Sequence, residues 1–140
     1  YAEAANEISG PNYALPGATM TAVQAVNKVR SRVNMPGVNS MYLGSKTDFR
    51  ERIKNERAVE LYLEGKRFFD LSRWGDAHKL EHKQIYGVNF TPNASRPTGY
   101  NISRTSDPVF TLTFEQKHYK WPIPLSDALM FDEFRQNPGW

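Results

Sequence analysis

The sequence predicts a mainly α-helical chain with long loops and at most a small β-hairpin. Three stretches support this prediction. Residues 47–82 combine dense charge with bulky apolar side chains at helical spacing, and residues 21–33 repeat apolar side chains on one helical face. Residues 83–119 are rich in Gly, Pro and Asn, which interrupt regular structure. With 140 residues and 39% hydrophobic content, the chain can bury one core.

Two short helices are predicted in the first part of the chain. The first covers residues 1–8 and ends at Gly10 and Pro11. Because residue 1 falls in the middle of a helical pattern, we expect the chain to be a piece of a longer protein. The second helix covers residues 21–33, where apolar residues share one face. These residues are Ala22, Val26, Val29 and Val33.

The longest predicted helix begins at Thr47, its expected N-cap, and Asp48 places negative charge in the first turn. No proline interrupts the helical pattern before Gly75. The long helix is expected to end or bend at Trp74-Gly75, and residues 76–82 are expected to add a further helical turn or two. We therefore expect this helix to organise the packing of the rest of the chain.

Charged side chains recur along the same helix at intervals of three and four residues. Carboxylates stack on one face, and arginines stand about one turn away from them. Since the planar guanidinium group suits paired hydrogen bonds to a carboxylate, we favour a partly buried network over a solvated charged face. Truncating Glu60 or Arg57 is then expected to destabilise the fold. The residues assigned to this structural motif are Glu56, Arg57, Glu60, Glu64, Arg67, Asp70, Arg73 and Trp74.

The second half of the chain has a different composition. Residues 1–82 are a predicted helical scaffold, residues 83–120 a loop-rich insert, and residues 121–140 a closing segment. Within the insert, apolar and polar residues alternate over residues 109–114, which predicts a strand. Residues 118–121 are its expected partner in a small hairpin.

The loop-rich insert also carries the candidate ligand-binding residues. Sugars are bound by flat aromatic faces against their C–H surfaces and by planar amide and guanidinium donors. Both types of residue are concentrated here, although aromatic side chains that only anchor a long loop would give the same composition. The candidates are Tyr86, Phe90, Arg96, Tyr100 and Asn101.

Three separated motifs resemble those of the SusD/RagB family. Residues 56–75 match the pattern ER-x-x-EL-x-x-EG-x-R-x-x-DL-x-RWG. The segments YAEAANE at residues 1–7 and VNKVRSRVNMP at residues 26–36 resemble a second family segment, with Val33-Asn34 where Ala-Gly is more usual. The segments WPIP at residues 121–124 and QNPGW at residues 136–140 are similar to the family's closing motif.

The resemblance implies a tetratricopeptide-like, SusD-type helical fold, of which this chain is the C-terminal part of a single domain. It implies a non-enzymatic, surface-exposed outer-membrane lipoprotein whose lipid anchor lies outside these residues. Such a protein captures an oligosaccharide, or in some members a peptide. It covers a SusC-like TonB-dependent transporter as a hinged lid. No cofactor or metal is implied.

Two other classes of function remain as alternatives. His78, Glu81 and His82 fit the H-x-x-E-H pattern of zinc hydrolases, with Glu115 or Glu133 as a third ligand. Such a short pattern also arises by chance among surface residues. The other alternative is a helical-repeat module that binds proteins without sugar specificity.

Composition argues against several further classes. The chain has no Cys, so it has no disulfide and no thiol catalyst. Its net charge of +3 comes from interspersed cations and anions, which does not indicate a nucleic-acid site. No apolar run approaches the roughly 20 residues that a membrane-spanning helix needs.

Overall fold

The computed structural model describes residues 1–130 and 133–140. It is mainly helical with one β-hairpin, which confirms the predicted fold class. The helices are α1 (Ala2–Ser9), α2 (Ala22–Ser31), α3 (Lys46–Glu60), α4 (Arg67–Trp74), α5 (Leu80–Lys83) and α6 (Leu125–Ala128). The strands are β1 (Gln84–Pro92) and β2 (Tyr100–Thr111), and short 3-10 helices cover Ser40–Tyr42 and Gln116–Tyr119.

The chain divides into two compact units, Tyr1–Arg67 and Phe68–Trp140. In the first unit, α1 packs against α2 and α3. Their shared core consists of Ala5, Ala22, Val26, Val38, Phe49 and Ile53. Ala5 of α1 and Ala22 of α2 are fully buried in this core, and Phe49 of α3 is its largest fully buried side chain.

Local signals fix where the helices of the first unit begin and end. Thr21 and Gln24 form a reciprocal capping box at the start of α2, which satisfies backbone N–H groups that the helix leaves unpaired. α1 ends at Gly10, whose φ of 87° suits glycine. At the start of α3, the Ser45 hydroxyl accepts a hydrogen bond from the Asp48 N–H at 3.0 Å. The predicted N-cap, Thr47, lies inside the helix instead.

The prediction that one long helix runs from Thr47 to Gly75 is wrong, because the structure divides this stretch into α3 and α4. After α3 the backbone turns through the left-handed region at Leu63 (φ 66°) and Gly65 (φ 69°). Residues in that conformation cannot continue a right-handed helix. Gly75 (φ 72°) ends α4 in the same way, which confirms the end or bend predicted at Trp74-Gly75.

The hairpin also differs from its prediction. β1 pairs antiparallel with β2, and residues 109–111 of the predicted strand lie at the end of β2 opposite Gln84 and Ile85. The expected partner, residues 118–121, begins within the 3-10 helix Gln116–Tyr119 instead. Gly87 and Pro92 made residues 84–92 resemble a loop. Both are accommodated, Gly87 beside a shift in register and Pro92 at the end of its strand.

None of the helices formed by residues 1–130 and 133–140 is long and apolar enough to cross a membrane.

Candidate functional site

One face of the hairpin carries exposed aromatic and aliphatic side chains. Successive residues in a strand point to opposite faces, and cross-strand partners share a face. The register pairs Phe90 with Ile102, Val88 with Arg104 and Pro92 with Tyr100. We call this surface the hairpin face. Its side chains are Tyr86, Val88 and Phe90 of β1 and Tyr100, Ile102 and Arg104 of β2.

The rings of the hairpin face are oriented by contacts across the two strands. Phe90 and Tyr100 meet edge to face, with centroids 6.4 Å apart and planes at 89°. The Arg104 guanidinium lies 4.0 Å from the Tyr86 ring centroid, a cation–π contact. The Tyr86 hydroxyl donates a hydrogen bond to Gln84 Oε1 at 2.9 Å. These contacts hold the rings yet leave Phe90 63% and Tyr100 48% exposed.

Two of the candidate ligand residues lie elsewhere on the hairpin. Asn101 pairs with Thr91 on the opposite face, and its Oδ1 accepts a hydrogen bond from Asn93 Nδ2 at 3.0 Å. Arg96 is exposed in the turn that connects the strands. The structure therefore brings Tyr86, Phe90 and Tyr100 together and separates Asn101 and Arg96 from them.

Three members of the hairpin face were not predicted from the sequence, which are Val88, Ile102 and Arg104. The signal that could have found them is the alternation of large and small polar side chains over residues 86–91 and 100–104.

The Arg/Glu network lies between α2 and α3. The Glu56 carboxylate pairs with both Arg30 of α2 and Arg52 of its own helix. The Arg30 side chain is only 8% exposed, and its Nε donates a hydrogen bond to the Pro36 carbonyl at 2.7 Å. Arg30 was missed from sequence because residue spacing within one helix cannot reveal a partner on another. Its position in the segment VNKVRSRVNMP was the available signal.

The expectation that Glu60 is a buried partner is wrong. Glu60 pairs with Arg32 of α2 at 2.5 Å, but the two side chains are 41% and 63% exposed. Arg57 is also exposed on α3. Glu64 lies in the turn after α3, so the helix break removes it from the row formed by Glu56 and Glu60.

The remaining residues of the structural motif belong to α4. Asp70 is buried, and Arg73 Nη2 lies 3.4 Å from its Oδ1. The Arg73 guanidinium also lies 5.1 Å from the Trp74 ring centroid. Arg67 is the first residue of the helix. These contacts stabilise α4 locally and point to a structural role.

A second ion pair joins α1 to α3. Arg50 Nε and Nη2 donate hydrogen bonds to the two carboxylate oxygens of Glu7 at 2.5 and 2.6 Å. The Arg50 guanidinium, chiefly through these hydrogen bonds, holds the pKa of Glu7 below its ordinary value. Both side chains are partly exposed, so solvent screens the pair.

The zinc-hydrolase alternative is not supported by the geometry of its motif. His78 lies in a turn before α5, whereas His82 lies within α5, so the two do not share a helical face. The His78 Nδ1 lies 2.8 Å from the Tyr119 hydroxyl. Among residues 1–130 and 133–140, no group of three His, Cys, Asp or Glu side chains could hold a metal ion.

Comparison with solved structures gives the class of protein to which this fold belongs. A SusD-like protein from Bacteroides fragilis matches 99% of this chain with 28% sequence identity and a TM-score of 0.67. The protein BT4246 matches 99% of the chain with 25% identity and a TM-score of 0.69. The chain covers 23% and 22% of those two proteins, so it spans less than a quarter of their length.

The family model for SusD matches residues 1–140. The chain belongs to the SusD family, whose members are non-catalytic binding proteins. No curated protein matches the chain significantly in sequence.

Proposed function

We propose that this chain is the C-terminal part of a single SusD-like domain in a non-catalytic, oligosaccharide-binding protein of the bacterial cell surface. Family membership supports the general role, and the match to less than a quarter of each similar structure supports the assignment as a part. In this proposal the complete protein is an outer-membrane lipoprotein. It delivers its glycan to a SusC-like TonB-dependent transporter.

The observation that carries the binding proposal is the exposure of the rings on the hairpin face. A ring that only anchors a loop is expected to be buried, but Phe90 is 63% and Tyr100 48% exposed. Exposed aromatic faces offer the apolar C–H surface of a sugar ring a place to stack. The Arg104 guanidinium beside Tyr86 adds hydrogen-bond donors for sugar hydroxyls.

The surface is also suited to a polymer rather than to one small molecule. The rings of Tyr86, Phe90 and Tyr100 are spread along the strands, with Val88 and Ile102 between them. Such a row can contact successive units of an extended oligosaccharide. The opposite face presents Asn89, Thr91, Asn101 and Ser103, which are polar and offer no stacking surface.

The test is oligosaccharide binding by the complete protein that contains this chain. A glycan array identifies a ligand, and isothermal titration then compares variants. We expect Phe90→Ala and Tyr100→Ala to weaken binding about tenfold each, or about 1.4 kcal/mol. Thr91→Ala and Ser103→Ala on the opposite face are the matched controls. Equal affinity in the two sets of variants would remove the hairpin face from the binding site.

The proposed partner and location have their own test. The complete protein, solubilised from outer membranes in mild detergent, should copurify with a TonB-dependent transporter. Protease added to intact cells should digest it if it is exposed at the surface. Recovery from the periplasm without a transporter would contradict both proposals.

A further inference from the structure

A second aromatic site lies in the unit formed by Phe68–Trp140. It is a pocket of about 340 Å³, at the lower end of the range of roughly 300–1,000 Å³ that small-molecule sites occupy. Its lining includes Phe68, Phe114, His118, Lys120, Trp121 and Trp140. None of these residues belongs to the hairpin face.

The walls of this pocket are held in place by specific contacts. The Trp140 indole N–H donates to the carbonyl oxygens of Lys117 at 3.0 Å and Lys120 at 2.9 Å. Its ring lies edge to face against His118, with centroids 5.4 Å apart. Phe114 contacts the same imidazole at 5.5 Å. The indole is therefore a fixed wall, whereas Trp121 is 77% exposed at the opening.

The hydrogen bonding of His118 leaves one nitrogen as a donor. Its Nδ1 accepts a hydrogen bond from the Glu115 N–H at 2.8 Å. In a neutral imidazole with an accepting Nδ1, the proton is on Nε2. His118 can therefore donate a hydrogen bond from Nε2 to an oxygen of a ligand.

The charge around the pocket is positive. Lys120 lines it, and the Lys117 ammonium lies 5.0 Å from the centroid of the Trp140 ring. Within the described part of the chain, no Asp or Glu lines the pocket. The nearby Glu115 is 61% exposed and lies 3.8 Å from Lys117. A ligand that carries negative charge therefore complements this site better than a neutral one.

We infer that this pocket binds an acidic pyranose unit of a glycan, with its ring against the tryptophans and its anionic group toward Lys120. The negative charge can come from a uronic-acid carboxylate or from a sulfate ester, which share this chemistry. The inference rests on the proposed glycan-binding function. It adds the ligand class and a second site.

The test uses the complete protein and three probes of equal length. These are an oligogalacturonide, a sulfated galacto-oligosaccharide and a neutral galacto-oligosaccharide, each titrated calorimetrically at fixed ionic strength. We expect at least one acidic probe to bind more tightly than the neutral one. Lys120→Met should weaken that acidic probe about tenfold, since a hydrogen bond to a charged group is lost, and should leave the neutral probe unchanged. The two acidic probes distinguish carboxylate from sulfate.

Two further variants separate this inference from the proposed function. Trp121→Ala removes an exposed wall without disturbing a buried contact and should also weaken the acidic probe. Phe90→Ala tests the hairpin face on the same ligands. If all three probes bind alike and neither pocket variant changes their affinities, the pocket is not the site, while loss of binding in Phe90→Ala would still support the proposed function. If none of the three binds, and no other glycan does, both proposals are wrong.

Discussion

The guanidinium group of Arg30 is nearly removed from solvent, with 8% of its side chain exposed. A buried charge is tolerated when it is paired and its other donors are satisfied. The Glu56 carboxylate supplies the opposite charge that pairs with Arg30, and the Pro36 carbonyl accepts a hydrogen bond from Arg30 Nε. This residue therefore joins α2, α3 and the segment after α2.

Removing the Glu56 carboxylate from its pair with Arg30 should destabilise the fold. Glu56→Ala leaves the buried guanidinium uncompensated, so we expect a loss of about 3 kcal/mol in the free energy of unfolding. Glu60→Ala removes a carboxylate from the same helix, but its pair with Arg32 is exposed and should cost less than about 1 kcal/mol. Urea unfolding of the complete protein compares the two. Equal losses would mean that burial does not distinguish these pairs.

The pair between Glu7 and Arg50 makes stability depend on pH in the acid range. The pKa of Glu7 is lower in the folded state than its ordinary value of 4.5, because the Arg50 hydrogen bonds favour the carboxylate. The contribution of this ion pair to the free energy of unfolding is thus complete at pH values above about 4.5. It is lost as pH falls through the lowered folded pKa.

Glu7→Gln should remove the part of the pH dependence of folding stability that comes from Glu7. Relative to the variant, the parent protein should be more stable near pH 7 by less than about 1 kcal/mol, and the difference should vanish in strong acid. Thermal unfolding of both proteins across this pH range measures it. A constant difference between the two proteins would show that Glu7 does not titrate with folding.

At the level of elements, the turn between α3 and α4 depends on two left-handed residues. Leu63 has a φ of 66° and is 87% exposed, so its backbone is strained and little burial compensates for it. Gly65 has a φ of 69°, with nothing within 4 Å of where a Cβ would stand. A substitution at Gly65 is therefore a test of backbone conformation alone.

Opposite substitutions at these two positions should have opposite effects. Gly65→Ala should destabilise by about 1 kcal/mol, because alanine is strained at this φ. Leu63→Gly should stabilise by about 0.5 kcal/mol, since the relief of strain exceeds the added chain entropy. Denaturant midpoints of the complete protein measure both. A loss of stability in Leu63→Gly would indicate that the leucine makes contacts that outweigh its strain.

The turn between α3 and α4 shows which features of this fold are difficult to predict from sequence. Capping residues and glycines identify the ends of α1 and α2, because those signals act between neighbours in sequence. The segment around Leu63 has a helical pattern, and leucine rarely adopts a left-handed conformation, so the break had a local signal in Gly65 but none at Leu63. The strand pairing was missed because Gly87 and Pro92 made the first strand resemble a loop, and because the pairing includes shifts in register near Gly87.

The types of residue in the candidate site could be predicted from the sequence. Which of them lie on the same face of the hairpin could not. Aromatic and amide residues are concentrated in the segment that forms the hairpin, but only the pairing of β1 with β2 determines which of them share a face. That pairing groups Phe90 with Tyr100 and turns Asn101 away. The pocket beside Trp140 could not be predicted, because its walls come from α4, the residues after β2 and the end of the chain.

At the scale of the whole molecule, the buried core is small for the number of residues. Among the described residues, the largest fully buried side chains are Phe49 and Asn6. Many large apolar side chains are exposed instead, including Val59, Val109, Leu125 and Leu129. These four residues belong neither to the hairpin face nor to the pocket beside Trp140. Hydrophobic burial supplies most of the free energy of folding, and exposed apolar surface outside a binding site normally contacts other protein.

Residues 1–140 expressed alone should therefore be much less stable than the same residues within the complete protein. We expect the isolated chain to bind the apolar dye ANS strongly and to unfold in urea over a broad range, because its core is too small to offset the conformational entropy of folding. The complete protein, measured under the same conditions, should bind little dye and unfold sharply. A sharp transition without dye binding in the isolated chain would show that these residues form an autonomous domain, and would overturn their assignment as part of a larger one.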